Sequence, residues 1–316
     1  MTKVAVILPA HNEEQTISQT IEDFHCHIPE AEIWVINNSS TDSTELKAHN
    51  TFKRLGCQGG VIHEPRLGKG NAIRRAFIDI DAEIYVLADA DLTYPASHAH
   101  NLIDPVLKGQ TDMVVGDRHS SGHYATENKR IFHGFGNRLV CSLVNRLFQA
   151  DLADIMSGYR VFNRQFVKNY PILVEGFEIE TDMTLHALDK RFRIQEAPVE
   201  YRSRPEGSFS KLNTINDGIR VLKTIGNILR YYRPLIFFGM LALLFMILGF
   251  IAAIPVVEDW ITNRYIYHVP LAILATGLEI VALVFLAIGL ILDSITHQDK
   301  RNFERSILRN DKRLKQ

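Results

Sequence analysis

Ile84-Tyr85-Val86-Leu87-Ala88-Asp89-Ala90-Asp91 is the stretch on which the fold turns. An unbroken apolar run leads straight into two carboxylates separated by one residue. A short run of this kind marks a strand buried on both faces, as in a parallel sheet. Acids placed directly after it emerge beyond the strand's C-terminus, the edge where parallel α/β sheets gather their ligands. Two hard oxygen donors there can hold Mg²⁺ or Mn²⁺ together with phosphate oxygens. The same pattern also serves as a solvated turn or helix cap, so the pair takes its meaning from its surroundings.

Working outward, Val4-Ala5-Val6-Ile7-Leu8, Glu32-Ile33-Trp34-Val35-Ile36 and Asp112-Met113-Val114-Val115-Gly116 read as further strands, with helices at 13–26, 42–55 and 69–79. This alternation, from residue 3 to about 204, predicts an α/β domain with a mixed, mainly parallel sheet. Thr41-Asp42-Ser43-Thr44 supplies the short oxygen side chains of a helix start. The first two strands end in Pro9-Ala10-His11-Asn12-Glu13 and Asn37-Asn38-Ser39-Ser40-Thr41-Asp42. These clusters fall on the same edge as Asp89 and Asp91 and can hydrogen-bond a base and ribose, or simply cap the helices that follow. Gly68-Lys69-Gly70-Asn71-Ala72 opens a helix, offering free amides and the Lys69 ammonium to phosphates. It lacks the Walker spacing of an NTPase.

At 316 residues the chain can hold one sizeable α/β core and an appendage. With 35 basic and 36 acidic residues, net charge −1, it has no global field for nucleic acid, which is excluded as a partner. Cys26, Cys57 and Cys141 have no metal or redox spacing and read as buried thiols of a reducing compartment. The N-terminus has a single lysine before a short apolar run, the start of a strand and not a signal peptide.

The composition changes after Pro234. Residues 235–257 carry no charge and 269–292 carry only Glu279, each long enough to cross a hydrocarbon core of about 30 Å. Arg230 and Arg233 precede this hairpin; Lys300, Arg301, Arg305, Arg309, Lys312, Arg313 and Lys315 follow it, against Arg264 alone in the connection at 258–268. Basic flanks stay in the cytoplasm, so both termini and the α/β domain are expected there, on a multi-pass cell (inner) membrane protein. Ile215, Ile219, Leu222, Ile225 and Leu229 recur at helical spacing beside Arg220, Lys223 and Arg230, the pattern of an amphipathic helix on membrane lipids. Glu279 should be protonated, paired or turned towards protein, with a subunit contact as first expectation. Gly277 and Ala282 nearby allow a homo-oligomer through these helices. The expected division is 1–212 for the α/β domain, 213–233 for the juxtamembrane helix, 234–293 for the hairpin and 294–316 for a basic cytoplasmic tail.

The ordered succession VAVILPAHNEE, WVINNSSTDST, GKGNA, DAD and SGYR over residues 3 to 212 resembles the family 2 glycosyltransferases of the GT-A fold. It is most similar to the branch of dolichyl-phosphate mannose synthase and bacterial polyprenyl-phosphate glycosyltransferases, many of which carry a C-terminal membrane anchor. The resemblance implies inverting, metal-dependent transfer from a UDP- or GDP-linked sugar to an undecaprenyl or dolichyl phosphate. It implies that Pro9, Ala10, Asn12, Glu13, Asn37, Asn38 and Lys69 line the nucleotide site, and that Asp89 and Asp91 face diphosphate and metal. Arg118 and Arg130 match acceptor-phosphate residues; Ser157 and Arg160, with Arg202 and Lys211, complete that expected site. His133 stands where relatives often have Ser. Asn37 replaces a usual Asp, and Thr93 replaces a Gln that serves as a further metal contact. Asp182, in Phe177-Glu178-Ile179-Glu180-Thr181-Asp182, lies where some relatives keep a general base. A lipid phosphate, with its last pKa near 6, needs little proton abstraction, so helix-start acidity explains Asp182 equally well. Two other readings use the same residues: transfer to a lipid or glycan hydroxyl such as diacylglycerol, and a non-catalytic membrane scaffold that binds nucleotide sugars.

Overall fold

The computed structural model describes residues 2–119, 131–176, 178–202 and 214–314, with the side chains of 131–137, 214–222 and 310–314 left aside. The chain forms two compact units, Met1–Thr214 and Ile215–Gln316.

In the first unit the elements are β1 (Val4–Ala10), α1 (Ile17–His27), β2 (Glu32–Asn37), α2 (Thr44–Leu55), β3 (Gly59–His63), α3 (Lys69–Asp79), β4 (Ile84–Leu87), α4 (Ala99–Leu107), β5 (Met113–Asp117), α5 (Ile131–Phe148), β6 (Arg160–Asn163), α6 (Arg164–Asn169), α7 (Ile179–Asp189) and β7 (Ile194–Pro198). Seven strands among the described residues make one sheet in the order β3-β2-β1-β4-β6-β5-β7. Its pairings are parallel except where β6 lies antiparallel between β4 and β5. The expected mixed, mainly parallel sheet is borne out. β1 and β4 bury nearly all their side chains because helices cover both faces of the sheet centre.

The reversed strand β6 shapes the functional edge. Leu87, the last residue of β4, and Val115, midway along β5, both pair with Arg160, the first residue of β6. The segment leading into β6, Ser157-Gly158-Tyr159, is therefore delivered to the edge where Asp89 leaves β4. Strands β3, β6 and β7 have weak sequence signals: β3 opens with two glycines, β6 has four residues, and β7 carries Gln195 and Glu196.

Helices begin later than their period predicts at α1 and α2. Asp42 in the predicted helix start does organise α2: its Oδ1 accepts from the Thr44 amide at 2.9 Å and the Thr44 hydroxyl at 2.5 Å. One cysteine expectation is corrected. Cys26 is exposed and Cys57 half-buried, leaving only Cys141 buried. The buried face of α1 is Ile17, Thr20, Ile21 and Phe24, and Cys26 falls off that stripe.

The second unit contains α8 (Thr214–Tyr232), α9 (Pro234–Asn263) and α10 (Val269–Leu314). α9 and α10 are both long and apolar enough to cross a membrane. They pack through Phe238 and Phe245 against Phe285, with ring centroids 6.3 and 5.4 Å apart. Leu243, Leu244, Ile251, Ile273, Leu283 and Ile291 remain exposed, an apolar exterior suited to lipid. The connection is shorter than 258–268, since α9 runs on to Asn263. Asp259 closes the turn, its Oδ2 accepting from the amides of Tyr267 and His268 at 2.8 and 3.0 Å. Residues beyond 293 continue α10 without a break as far as Leu314. Glu279 faces the neighbouring helix of its own hairpin: a Cβ at Gly249 would lie 2.5 Å from Glu279 Oε1. A larger residue at that position would require the Glu279 carboxyl group to swing aside.

Candidate active site

The ends of β1 and β2 are laced together. The Asn38 amide donates to Ala10 O at 2.8 Å, and the His11 ring meets Asn38 O at 2.7 Å. Asn12, in the left-handed region at φ 57°, turns its Oδ1 to accept from the Thr41 amide at 2.8 Å, and the Glu13 amide donates to the Thr44 hydroxyl at 2.8 Å. Asparagine tolerates that conformation better than most residues. Pro9, Ala10, Asn12 and Glu13 thus share one ledge with Asn37 and Asn38.

Asn38 is buried and ties this ledge to α3: its Nδ2 donates to Arg66 O at 2.6 Å and its Oδ1 accepts from the Gly68 amide at 2.8 Å. Asn37, also buried, donates through Nδ2 to Glu45 Oε2 at 2.5 Å. A carboxylate is therefore present at this strand end after all, supplied by α2 and not by residue 37.

Glu64 lies beneath the same loop, almost without exposure. It accepts from Arg66 Nε at 2.7 Å and Arg66 Nη2 at 2.8 Å. The Arg66 hydrogen bonds outweigh burial and hold its carboxyl at about 2, below the usual 4.5. A depressed folded-state pKa gives stability that is complete above the unfolded value and is lost as pH falls from about 4.5 through about 2. Melting curves of wild type and Glu64→Gln are accordingly expected to differ at neutral pH, to draw together below about pH 4.5 and to converge only as pH reaches about 2. A constant difference across that window would contradict the assignment.

At the end of β4, Asp91 is buried and its Oδ1 accepts from the Thr93 hydroxyl at 2.6 Å and the Thr93 amide at 3.2 Å. Thr93, at the position of the expected Gln, orients a carboxylate. Asp89 accepts from Lys69 Nζ at 2.5 Å, and the same ammonium reaches Glu180 Oε1 at 2.5 Å. Burial alone would pull Lys69 down, but the charges and hydrogen bonds of Asp89 and Glu180 prevail and hold it above the usual lysine range. Gly158 closes this cluster: a Cβ there would stand 2.8 Å from Asp89 Oδ2 and 3.2 Å from Lys69 Nζ. Two carboxylates after one strand form a partial set of hard oxygen donors. Among the described residues no group of three acids, histidines or cysteines forms a metal cluster, so a divalent ion at Asp89 and Asp91 would need phosphate or water oxygens to complete its shell.

Asp182 is not brought to this cluster; its Oδ2 accepts from the Tyr170 hydroxyl at 2.6 Å. Glu180, one helix position pair earlier, occupies the place expected for an acid from this segment. Their relative facing depends on how α7 docks, which local periodicity does not specify.

The expected acceptor residues divide. Arg118 is buried and grips Asp154 through Nε at 2.6 Å and Nη2 at 2.9 Å, with its guanidinium 5.5 Å from the Tyr201 ring centre. Burial pushes Asp154 up, but Arg118 overcomes this and holds it below the carboxylate range. Arg160 has no exposed surface. It donates to Ser157 O at 2.8 Å, Ile155 O at 2.7 Å and Thr184 Oγ1 at 2.9 Å, inside the fold instead of on the cleft wall. Ser157 is equally buried, its hydroxyl accepting from the Tyr159 amide at 3.4 Å. Arg202 is exposed, and its amide donates to Thr93 O at 2.9 Å, which sets it near Asp91 in the chain's path. Arg130 and Lys211 lie outside the described residues, as does the side chain of His133.

A glycosyltransferase AglJ of Haloferax volcanii is 28% identical over 303 residues, covering 96% of each chain. A dolichol-phosphate mannosyltransferase of Pyrococcus furiosus is 26% identical, covering 84% of this chain and 80% of its own. In fold, the chain is similar to glucosyl-3-phosphoglycerate synthase of Mycobacterium tuberculosis, crystallised with Mn²⁺, UDP and glucosyl-3-phosphoglycerate, at a TM-score of 0.57 and 21% identity over 72% of this chain and 79% of that one. The family model of glycosyl transferase family 2 matches residues 5–170, from β1 through the Asp89-Ala90-Asp91 edge to the end of α6, and the chain belongs to that family.

Proposed function

We propose that this glycosyltransferase moves a sugar from a UDP- or GDP-linked donor to a polyprenyl phosphate at the cytoplasmic face of the cell membrane, with inversion at the anomeric carbon. The observation that carries the reading is the reach of the similarity to the dolichol-phosphate mannosyltransferase. It covers 84% of the chain, more than the 214 residues of the first unit can account for, and so includes part of the apolar hairpin as well as the acidic sheet edge.

On this reading the ledge of Pro9, Ala10, Asn12, Glu13, Asn37 and Asn38 receives the nucleoside. Asp89 and Asp91 would hold Mg²⁺ or Mn²⁺, which would supply charge neutralisation for the departing diphosphate. Thr93 keeps the Asp91 carboxylate aimed, and Lys69 adds a cation beside the same phosphates. The acceptor phosphate meets Arg202 and Arg118, with Arg130 and Lys211 as further candidates. Its oxygen is already ionised near neutral pH and attacks without a general base. The engagement of Asp182 with Tyr170 and of Glu180 with Lys69 favours an acceptor that needs none. α9 and α10 anchor the enzyme, and the basic residues beyond 293 favour a cytoplasmic C-terminus.

The purified full chain, incubated with Mn²⁺, polyprenyl phosphate and radiolabelled UDP- and GDP-sugars in turn, is expected to give one labelled, solvent-extractable lipid. No lipid product from any donor overturns the proposal.

A further inference from the structure

Lys69 makes a contact whose consequence reaches beyond phosphate binding. Its side chain is 8% exposed and its ammonium lies between two carboxylates, Asp89 of the β4 edge and Glu180 of α7. The backbone at its root is locked. A Cβ at Gly68 would stand 2.2 Å from Glu175 O and one at Gly70 2.1 Å from Val174 O, while the Gly70 amide donates to Glu175 O at 2.9 Å. Glycines on either side thus let the start of α3 press against the segment that leads into α7. Lys69 is the side chain that then spans the gap. Asp89 Oδ1 is held by Lys69 and a Cβ at Gly158 would crowd its Oδ2, while 26% of the side chain stays exposed.

Resting on the transferase reading above, we propose that Lys69 is a built-in cation that occupies Asp89 in the donor-free enzyme, so that a divalent metal enters with the nucleotide diphosphate and not before it. Glu180 shares the Lys69 ammonium with Asp89 and adds a second negative charge to the cluster. A metal ion approaching Asp89 alone would lie beside an ammonium in a partly buried site, where salt screens their repulsion poorly. A diphosphate brings negative charge of its own. Lysine, a compact charge on a flexible four-carbon stem, can shift towards it and leave Asp89 open to the metal. The exchange moves one cation as another arrives and forms no covalent bond.

The test is Mn²⁺ binding to the purified full chain, followed by the EPR signal of free Mn²⁺, with and without UDP or GDP. For wild type, the nucleotide that binds is expected to tighten Mn²⁺ by about tenfold or more, the scale of one neighbouring charge. Lys69→Met is expected to tighten Mn²⁺ by a similar factor without nucleotide and to shrink the nucleotide dependence by that factor. Glu180→Gln, which removes a negative charge and keeps the lysine, is expected to weaken Mn²⁺ binding in the absence of nucleotide. A purely structural role for the cluster would move both variants in the same direction. Lys69→Gln removes the charge while keeping a hydrogen-bond donor, and carries the same expectation if Lys69→Met fails to fold. Mn²⁺ binding no tighter in the folded Lys69 variants than in wild type would overturn the proposal. Neither sugar nor acceptor enters this measurement, so it is read independently of whether a lipid product forms.

Discussion

Asp91→Asn is expected to lower sugar transfer by roughly 10²–10³-fold, the cost typical of removing one group aimed at charge that develops in the transition state. The substitution is nearly isosteric, and an asparagine Oδ1 can still accept from the Thr93 hydroxyl and amide that now hold Asp91. The melting temperature should therefore stay close to wild type, separating lost chemistry from lost structure. Thr93→Val removes the 2.6 Å hydroxyl contact but leaves the carboxylate, and should cost less, about tenfold, through misaiming alone. Initial rates of labelled-lipid formation at saturating donor check both. Full activity in Asp91→Asn would remove this carboxylate from the reaction.

The second large effect is on stability. Arg160→Met is expected to destabilise the first unit by about 3–5 kcal/mol, because it strips partners from two buried carbonyls and a buried hydroxyl. Those acceptors, Ser157 O, Ile155 O and Thr184 Oγ1, belong to the segment before β6 and to α7. Losing them loosens the positions of Gly158 and Glu180, both in contact with the Lys69–Asp89 pair. Thermal melts of the full chain in detergent give the readout. An acceptor-phosphate role predicts the reverse pattern, a normal melting temperature with a raised KM for the lipid phosphate.

The contrast between these two residues marks what could be read from the chain. Asp91 follows a four-residue strand whose uninterrupted apolar character reveals both the strand and its exit edge. Arg160 sits in a motif that looks like a ligand loop, and nothing local distinguishes a guanidinium facing a phosphate from one facing backbone carbonyls. Its burial follows from β6 being inserted between β4 and β5, a pairing fixed by tertiary packing. The same holds for Lys69. Its place at a helix start is legible, but its partner Glu180 is 111 residues away and two positions from the equally plausible Asp182. Asn37 gives a subtler case. Its neutral side chain reads as a missing acid, whereas Glu45, in the first turn of α2, restores a carboxylate to the same strand end. The hairpin was plain from composition; the turn at 264–268 was not, because the helix extends through polar residues once Asp259 can close it.

The reversed strand also has a consequence for biosynthesis. β4 lies at the centre of the finished sheet, yet the neighbour on one of its sides is β6, made about 75 residues later. Until the ribosome has released that segment, a fully apolar strand keeps an unpaired row of amides and carbonyls, the feature that invites wrong partners. A nascent chain arrested between residues 117 and 160 should consequently be the most aggregation-prone length of this protein, and translation through that interval the step most dependent on chaperones.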